Sequence, residues 1–305
     1  METIVALSFY ATLILCSIFP NTLVIIILTK SRSVFEQDIF HISLAVANLL
    51  ESTVAFIPTA VSIASNGSMV YDLTCVSTGF LTSFLAYTSI LHLTIMSIDR
   101  AIALGTPFYY AWLKSLGYST KLILPLIWIL TFFVGILPFF GWSSYTLQKD
   151  HGRCSINWTD SSLSGISYIV MLFITFFLLP IVVMVMMCFV VNDAMQKMYL
   201  RATNALGYKH RDSIQILKGK SRNNKIIAAM STSFLAAWTP YATCAIMMTF
   251  GFDVDETLLG VSGCLGKTAV IFNPIIYILG SRRFLSAIKN IWIKSKTQRC
   301  EYGNV

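Results

Sequence analysis

The chain has 305 residues, of which 56% are hydrophobic and only 12% are charged. Soluble domains carry about 25% charged residues, so a soluble protein is excluded and an integral membrane protein is indicated. The net charge of +8 does not mark a nucleic-acid binder, because the basic residues gather on one side of the expected membrane spans.

Seven apolar runs follow one another, at 4–29, 39–63, 75–104, 121–141, 164–191, 223–250 and 257–279. Each is long enough to cross a bilayer as a helix, whereas barrel strands would be about ten residues long and would alternate. The first run lacks a preceding basic segment and a small-residue cleavage site, so it is expected to be retained rather than removed as a signal peptide.

Lys30 and Arg32 follow the first run, and Lys114 and Lys121 lie between the third and fourth. Lys197, Arg201, Lys209, Arg211, Lys218, Lys220, Arg222 and Lys225 lie between the fifth and sixth, and Arg282, Arg283, Lys289, Lys294, Lys296 and Arg299 follow the seventh. The opposite connections carry Lys149 and Arg153. The positive-inside rule then places the N-terminus outside and the C-terminus in the cytosol, which requires an odd number of spans. The expected fold is an all-α membrane protein, a single seven-helix bundle over residues 1–305. A cytosolic amphipathic helix is expected over 282–293, with Phe284, Ala287, Ile288, Ile291 and Trp292 on one face toward the inner membrane surface.

Of the seven cysteines, Cys75 opens the third span and Cys154 lies in the second outer connection, both on the oxidising side, where a bridge is chemically permitted. Cys16, Cys188, Cys244 and Cys264 read as small buried apolar residues, and Cys300 as a cytosolic thiol, free or lipidated. Asn66-Gly67-Ser68 and Asn157-Trp158-Thr159 are glycosylation sequons on the outer side.

Lys267 sits near the middle of the last run, about ten residues from either end. An ionised lysine is costly there and cannot snorkel to the interface. Its amine is the side-chain group that most readily gives up its proton and condenses with an aldehyde. The plain alternative is a structural lysine paired with a buried acid. Six residues later the run reads Asn273-Pro274-Ile275-Ile276-Tyr277.

The whole chain resembles the rhodopsin-like class of G protein-coupled receptors. Asn21 matches its buried first-helix asparagine, although Pro20 replaces the customary glycine. Leu44-Ala45-Val46-Ala47-Asn48 matches a motif that usually ends in aspartate. Asp99-Arg100 closes the third span, with Arg100 25 residues after Cys75; Trp128, Pro180, Trp238-Thr239-Pro240-Tyr241 and Asn273-Pro274-x-x-Tyr277 follow in the family's order. Gly79-Phe80, Gly141-Trp142, Tyr145 nine residues before Cys154, and Lys267 narrow the likeness to animal opsins.

The resemblance implies retinal held as a Schiff base on Lys267, in a pocket including Trp238, Tyr241, Thr78, Gly79, Tyr87, Tyr145, Gln148 and Phe176. It implies a Cys75–Cys154 disulfide and a cytosolic switch of Asp99, Arg100, Asn273, Pro274 and Tyr277. It further implies a plasma or photoreceptor membrane, and a heterotrimeric G protein and arrestin as partners. Light sensing is the expected function, without enzyme activity; a receptor for a diffusible ligand and a retinal photoisomerase are the competing readings.

Two departures stand out. A protonated Schiff base at the bilayer midplane needs an anion, and without one it turns neutral and absorbs toward the ultraviolet. The three positions where opsins place a carboxylate are Thr78, Gln148 and Thr59 here, a lack similar to that of some invertebrate, particularly cnidarian, opsins. Glu51, three residues after Asn48, is the acid deep in the membrane, about one turn to the cytosolic side of Lys267. It is either the partner of that cation or a protonated member of an Asn48–Asn273 polar cluster; a chloride held by Thr59, Thr78, Gln148 and Arg153 is the third option. At the cytosolic end, Lys220 occupies the place of an acid that often pairs with the third-helix arginine, so that interhelical lock is expected to be absent. Cys188 replaces a tyrosine of the family's active state.

Overall fold

The computed structural model describes residues 2–30, 36–65, 73–147, 154–206, 211–282 and 284–289. Asn66, Gln148, Arg153, Cys300 and the 290–293 end of the expected amphipathic helix lie outside them.

The first span is α1 (Glu2–Thr29). The second is α2 (Glu36–Leu50), a π-helical turn (Glu51–Ala55) and α3 (Phe56–Ala64). The third is α4 (Leu73–Gly105), followed by the short helix α5 (Pro107–Ser115). The fourth is α6 (Thr120–Ile136) with a 3₁₀ extension to Phe140, which stops at Gly141 in the left-handed region at φ 87°. Strands β1 (Tyr145–Leu147) and β2 (Cys154–Ile156) pair antiparallel, with Tyr145 opposite Ile156. The fifth span is α7 (Leu163–Phe173), a second π turn (Ile174–Leu178) and α8 (Leu179–Leu206). The sixth is α9 (Arg211–Thr249), and the seventh is α10 (Glu256–Lys267) plus α11 (Ala269–Gly280).

Six of these spans are long and apolar enough to cross a membrane. The more polar α9 packs against α4, α8, α10 and α11 and completes the bundle. The fifth and sixth spans extend past the apolar runs at the end where the basic residues gather, α8 to Leu206 and α9 from Arg211.

Prolines explain the irregular turns. Each π turn ends shortly before one, Pro58 in α3 and Pro180 in α8, where the missing N–H and the ring disfavour a regular α-turn. Pro274 likewise cannot bond the carbonyl of Val270; Asn21 of α1 reaches across and donates to that oxygen at 3.0 Å. In lipid a freed backbone group must find such a partner inside the protein. Polar contacts also join helices where apolar burial gives no drive to associate. Trp128 Nε1 donates to Ser43 Oγ at 3.0 Å, His92 Nε2 lies 2.9 Å from the same oxygen, and the Thr88 and Thr131 hydroxyls meet at 2.8 Å.

Large apolar side chains such as Leu15, Phe19, Phe133 and Phe189 point out of the bundle, as a lipid-facing surface requires. Cys16 and Cys188 are exposed, Cys188 on the wall of a cavity shared with Ser97 and Arg100, so the expectation that they are buried is corrected; Cys244 is buried. The amphipathic segment is corrected in part too. Phe284 turns into the bundle, 1% exposed, with its ring 5.6 Å from that of Tyr277.

Candidate functional site

Lys267 is the last residue of α10, and the seventh span breaks just after it at Thr268. The side chain enters a cavity of about 1010 Å³, its open mouth included, between α4, the fifth span, α9 and α10, with β2 as roof. Lys267 is the one charged group among the described residues of the wall. Gly79, Tyr87, Phe176, Trp238 and Tyr241 line the cavity as expected. Tyr87 and Phe176 stack at 4.5 Å. Trp238 lies flat against Gly266, where a Cβ would come within 2.9 Å of the indole. A side chain next to Lys267 would push that ring off the helix.

Two expected residues stand behind the wall. A Cβ on Gly79 would come within 2.9 Å of the Tyr145 ring, and the Tyr145 hydroxyl donates to the Gly135 carbonyl at 2.8 Å. The Thr78 hydroxyl sits 2.9 Å from each of two carbonyls of its own helix, Thr74 and Cys75. The cavity also uses residues that the sequence reading did not single out, among them Ser83, Ile156, Trp158, Phe173, Phe177 and Phe234. The aromatic run Phe173-Ile174-Thr175-Phe176-Phe177 was a legible signal for the fifth-span side. Trp158 had none, because its place depends on how the outer loop folds back.

The Cys75–Cys154 disulfide is formed and ties β2 to the head of α4. Asn157 follows in the turn beyond β2, its Oδ1 accepting from the Thr159 hydroxyl at 3.0 Å.

Glu51 begins the π turn and is 2% exposed. Its Oε1 has no hydrogen-bond partner among the described residues. The polar cluster beside it is organised differently from expectation. Asn48 donates to Asn21 Oδ1 at 3.2 Å, and Ser52 donates to Ser17 Oγ at 2.6 Å. Asn273 faces Asn48 across a small cavity of about 200 Å³, and its amide has no hydrogen-bond partner among the described residues. Thr59 donates to Ala55 of its own helix at 2.8 Å. The two described threonines of the expected chloride cradle thus spend their single protons on backbone carbonyls.

Residues 20–277 match the family described as "7 transmembrane receptor (rhodopsin family)". The chain belongs to this family. The receptor is 26% identical over 274 residues to vertebrate ancient opsin of Salmo salar, covering 88% of this chain and 80% of that protein. It is 26% identical over 289 residues to a Gq-coupled rhodopsin of Mizuhopecten yessoensis, covering 92% of this chain and 58% of that protein. Its fold matches the crystal structure of squid rhodopsin with a TM-score of 0.83 at 23% identity, over 96% of this chain and 87% of that one.

The end of the bundle away from β2 holds Asp99, Arg100 and Tyr277 of the second group of expected residues. Arg100 pairs with Asp99 at 2.9 Å, and Asp99 also accepts from the Tyr110 hydroxyl at 3.0 Å. Tyr277 is buried, its ring centroid 4.0 Å from that of His41. An open cavity of about 1220 Å³ is lined by Arg100, Arg222, Arg282, His41 and Tyr277, among others. Arg222 of α9 donates to the carbonyls of Gly280 and Leu279 at the end of α11. These are terminal carbonyls of a helix, unsatisfied by its own ladder and at the negative end of its dipole. Gly280 allows the approach, since a Cβ there would fall 2.5 Å from Ile226 of α9. The sequence reading assigned no partner to Arg222.

Proposed function

We propose that the receptor is a light-sensing opsin in a plasma or photoreceptor membrane, with retinal joined to Lys267 as a Schiff base. The observation that carries this reading is the single amine on the wall of a cavity that is otherwise mostly aromatic and aliphatic, with only the hydroxyls of Thr82, Ser83 and Ser155 beside its tyrosines and tryptophans as polar groups among the described residues. Such a wall suits a long apolar polyene, and volumes of about 300–1,000 Å³ are usual for small-molecule sites. When bound, retinal supplies the absorption of light and a change of shape on isomerisation.

The chain's own residues do the rest. Lys267 fixes one end of the ligand. Tyr87, Phe176, Trp238 and Tyr241 exclude water and confine its length, and Trp238, backed by Gly266, passes a change of cavity shape to α9. Glu51 is the favoured partner for the positive charge on Lys267. It is buried in the span beside α11 and keeps one oxygen without a described protein donor. The threonine hydroxyls proposed for chloride are already committed to their own helices.

The response is a population shift between closed and open cytosolic ends. Arg100, Asn273, Pro274 and Tyr277 stand at the end that opens, and a G protein docks there; arrestin would compete for the same face. The Gq-coupled rhodopsin among the relatives supports this class of partner. The distribution of basic residues supports a cytosolic C-terminus. Sharing the receptor family and keeping Asp99-Arg100 and Tyr277 in place favour a receptor over a photoisomerase.

The test is a spectrum of the purified protein with 11-cis-retinal, before and after light. A band that appears with the unmutated chain and is missing from correctly inserted Lys267→Ala supports the reading. A light-sensitive band that persists in Lys267→Ala refutes it.

A further inference from the structure

The roof of the cavity contains a contact that the reading above leaves without a role. Trp158 stands two residues past the end of β2, half-buried, and lines the Lys267 cavity. Its indole N–H donates to the Tyr241 hydroxyl on α9 at 2.9 Å, with the two rings edge to face at 5.7 Å. Its backbone carbonyl accepts from the Thr249 hydroxyl, also on α9, at 3.4 Å. Tyr241 meets Trp238 edge to face at 5.9 Å, and Trp238 meets Phe234 at 6.1 Å. Phe234, Trp238 and Tyr241 are four and three residues apart, so they share one face of the helix. Trp158 therefore caps a continuous column of rings that runs from the roof down α9.

The other side of Trp158 is anchored elsewhere. The Asn157 N–H donates to the Ser144 carbonyl at 2.9 Å, and the Cys75–Cys154 disulfide joins β2 to α4. One residue thus bridges a covalently fixed roof and the helix that the cavity must move. The link to Tyr241 is a neutral hydrogen bond in an apolar site, costly to leave unmade while the roof is closed and breakable when α9 shifts.

The geometry points to Trp158 as a positioning residue: a latch that holds the outer mouth of the cavity shut through Tyr241 and sets how readily small reagents and free retinal reach Lys267. This rests on Lys267 being the retinal attachment site.

The test uses hydroxylamine, a small nucleophile that cleaves a retinal Schiff base only where it can enter. The full chain is loaded with 11-cis-retinal, and the band is followed in the dark after hydroxylamine is added. Trp158→Phe keeps a ring and loses the N–H; Tyr241→Phe keeps the ring and loses the acceptor. Each is expected to lose its band about fivefold faster than the unmutated protein, as one missing hydrogen bond would allow. The double variant should be no faster than either single, because both remove the same bond. Unchanged rates in both single variants overturn the latch, as does a double variant whose acceleration is the product of the two. Failure of surface-expressed Trp158→Phe to form any pigment also overturns it, since Trp158 would then be needed for attachment rather than for access. Failure of the unmutated protein to form pigment defeats the retinal reading itself, and the latch with it.

Discussion

Around Lys267 the wall is mostly apolar and aromatic, and a disulfide and a two-stranded hairpin hold its roof. At the opposite end of the bundle, Arg100, Arg222 and Arg282 line an open cavity of about 1220 Å³, and α9 is held to α11 there by hydrogen bonds to helix-end carbonyls. The first region is closed by a covalent bond and by buried apolar surface, neither of which water can replace. The second is closed by bonds that water or a partner can replace at little cost. A receptor that must keep its ligand and move its far end benefits from this division, with α9 running through both regions.

Substitutions can break or sharpen the contrast, beginning with the largest effect. Lys267→Ala should abolish pigment formation outright while the protein still reaches the cell surface; absorbance after incubation with retinal is the measurement. Arg100→Ala should leave the dark spectrum intact and remove light-driven nucleotide exchange on a G protein. If exchange persists at full rate, the cytosolic cavity is not the docking face assigned to it.

Glu51→Gln should move the dark band toward the ultraviolet, because the cation on Lys267 then loses its nearby carboxylate. A band that stays in place after the mutation and shifts only when chloride is removed would transfer that role to a bound anion. A band indifferent to both treatments would point to Asp72, which lies outside the described residues.

Cys75→Ser should cost roughly 4 kcal/mol of stability in the chain-entropy account, given the 79-residue separation of the bridge. Thermal inactivation of the loaded pigment reads this, and mass spectrometry of non-reduced digests of the unmutated protein should recover the linked peptides. Arg222→Ala has the smallest effect, felt only at the cytosolic end. It should raise dark nucleotide exchange by about fivefold, the discounted weight of two hydrogen bonds from a charged donor at a half-exposed site. Its spectrum should not change. Equal dark activity would show that the contact with Gly280 and Leu279 does not hold α9 closed.

The spans were legible because lipid demands long apolar runs, and the disulfide because the family pattern pairs Cys75 with Cys154 and both fall at the same end of the expected spans. Lys267, Trp238 and Tyr241 were legible from their order in the family pattern. The sequence reading went wrong where a side chain's destination depends on local backbone. Thr59 and Thr78 looked like donors for an anion, but a hydroxyl in a lipid-buried helix finds its own carbonyl three or four residues back. Asn48 was expected to face Asn273 as a partner. It bonds Asn21 instead, because Pro274 frees the Val270 carbonyl and draws Asn21 into the gap between α1, α2 and α11.

By itself the sequence determined that this is a seven-span membrane protein, that its basic residues gather at one end of the spans, and that an amine lies near the middle of the last apolar run. Those features follow from composition and order along one chain, and each is set by the cost of placing charge in hydrocarbon. Only the tertiary structure decided that Trp158 closes the cavity onto Tyr241, that Gly266 makes room for Trp238, and that Arg222 braces α9 against α11. These contacts join residues 83, 28 and about 58 positions apart. They exist only once helices pack closely enough for a missing Cβ or a single donor to matter, and no local pattern encodes that distance.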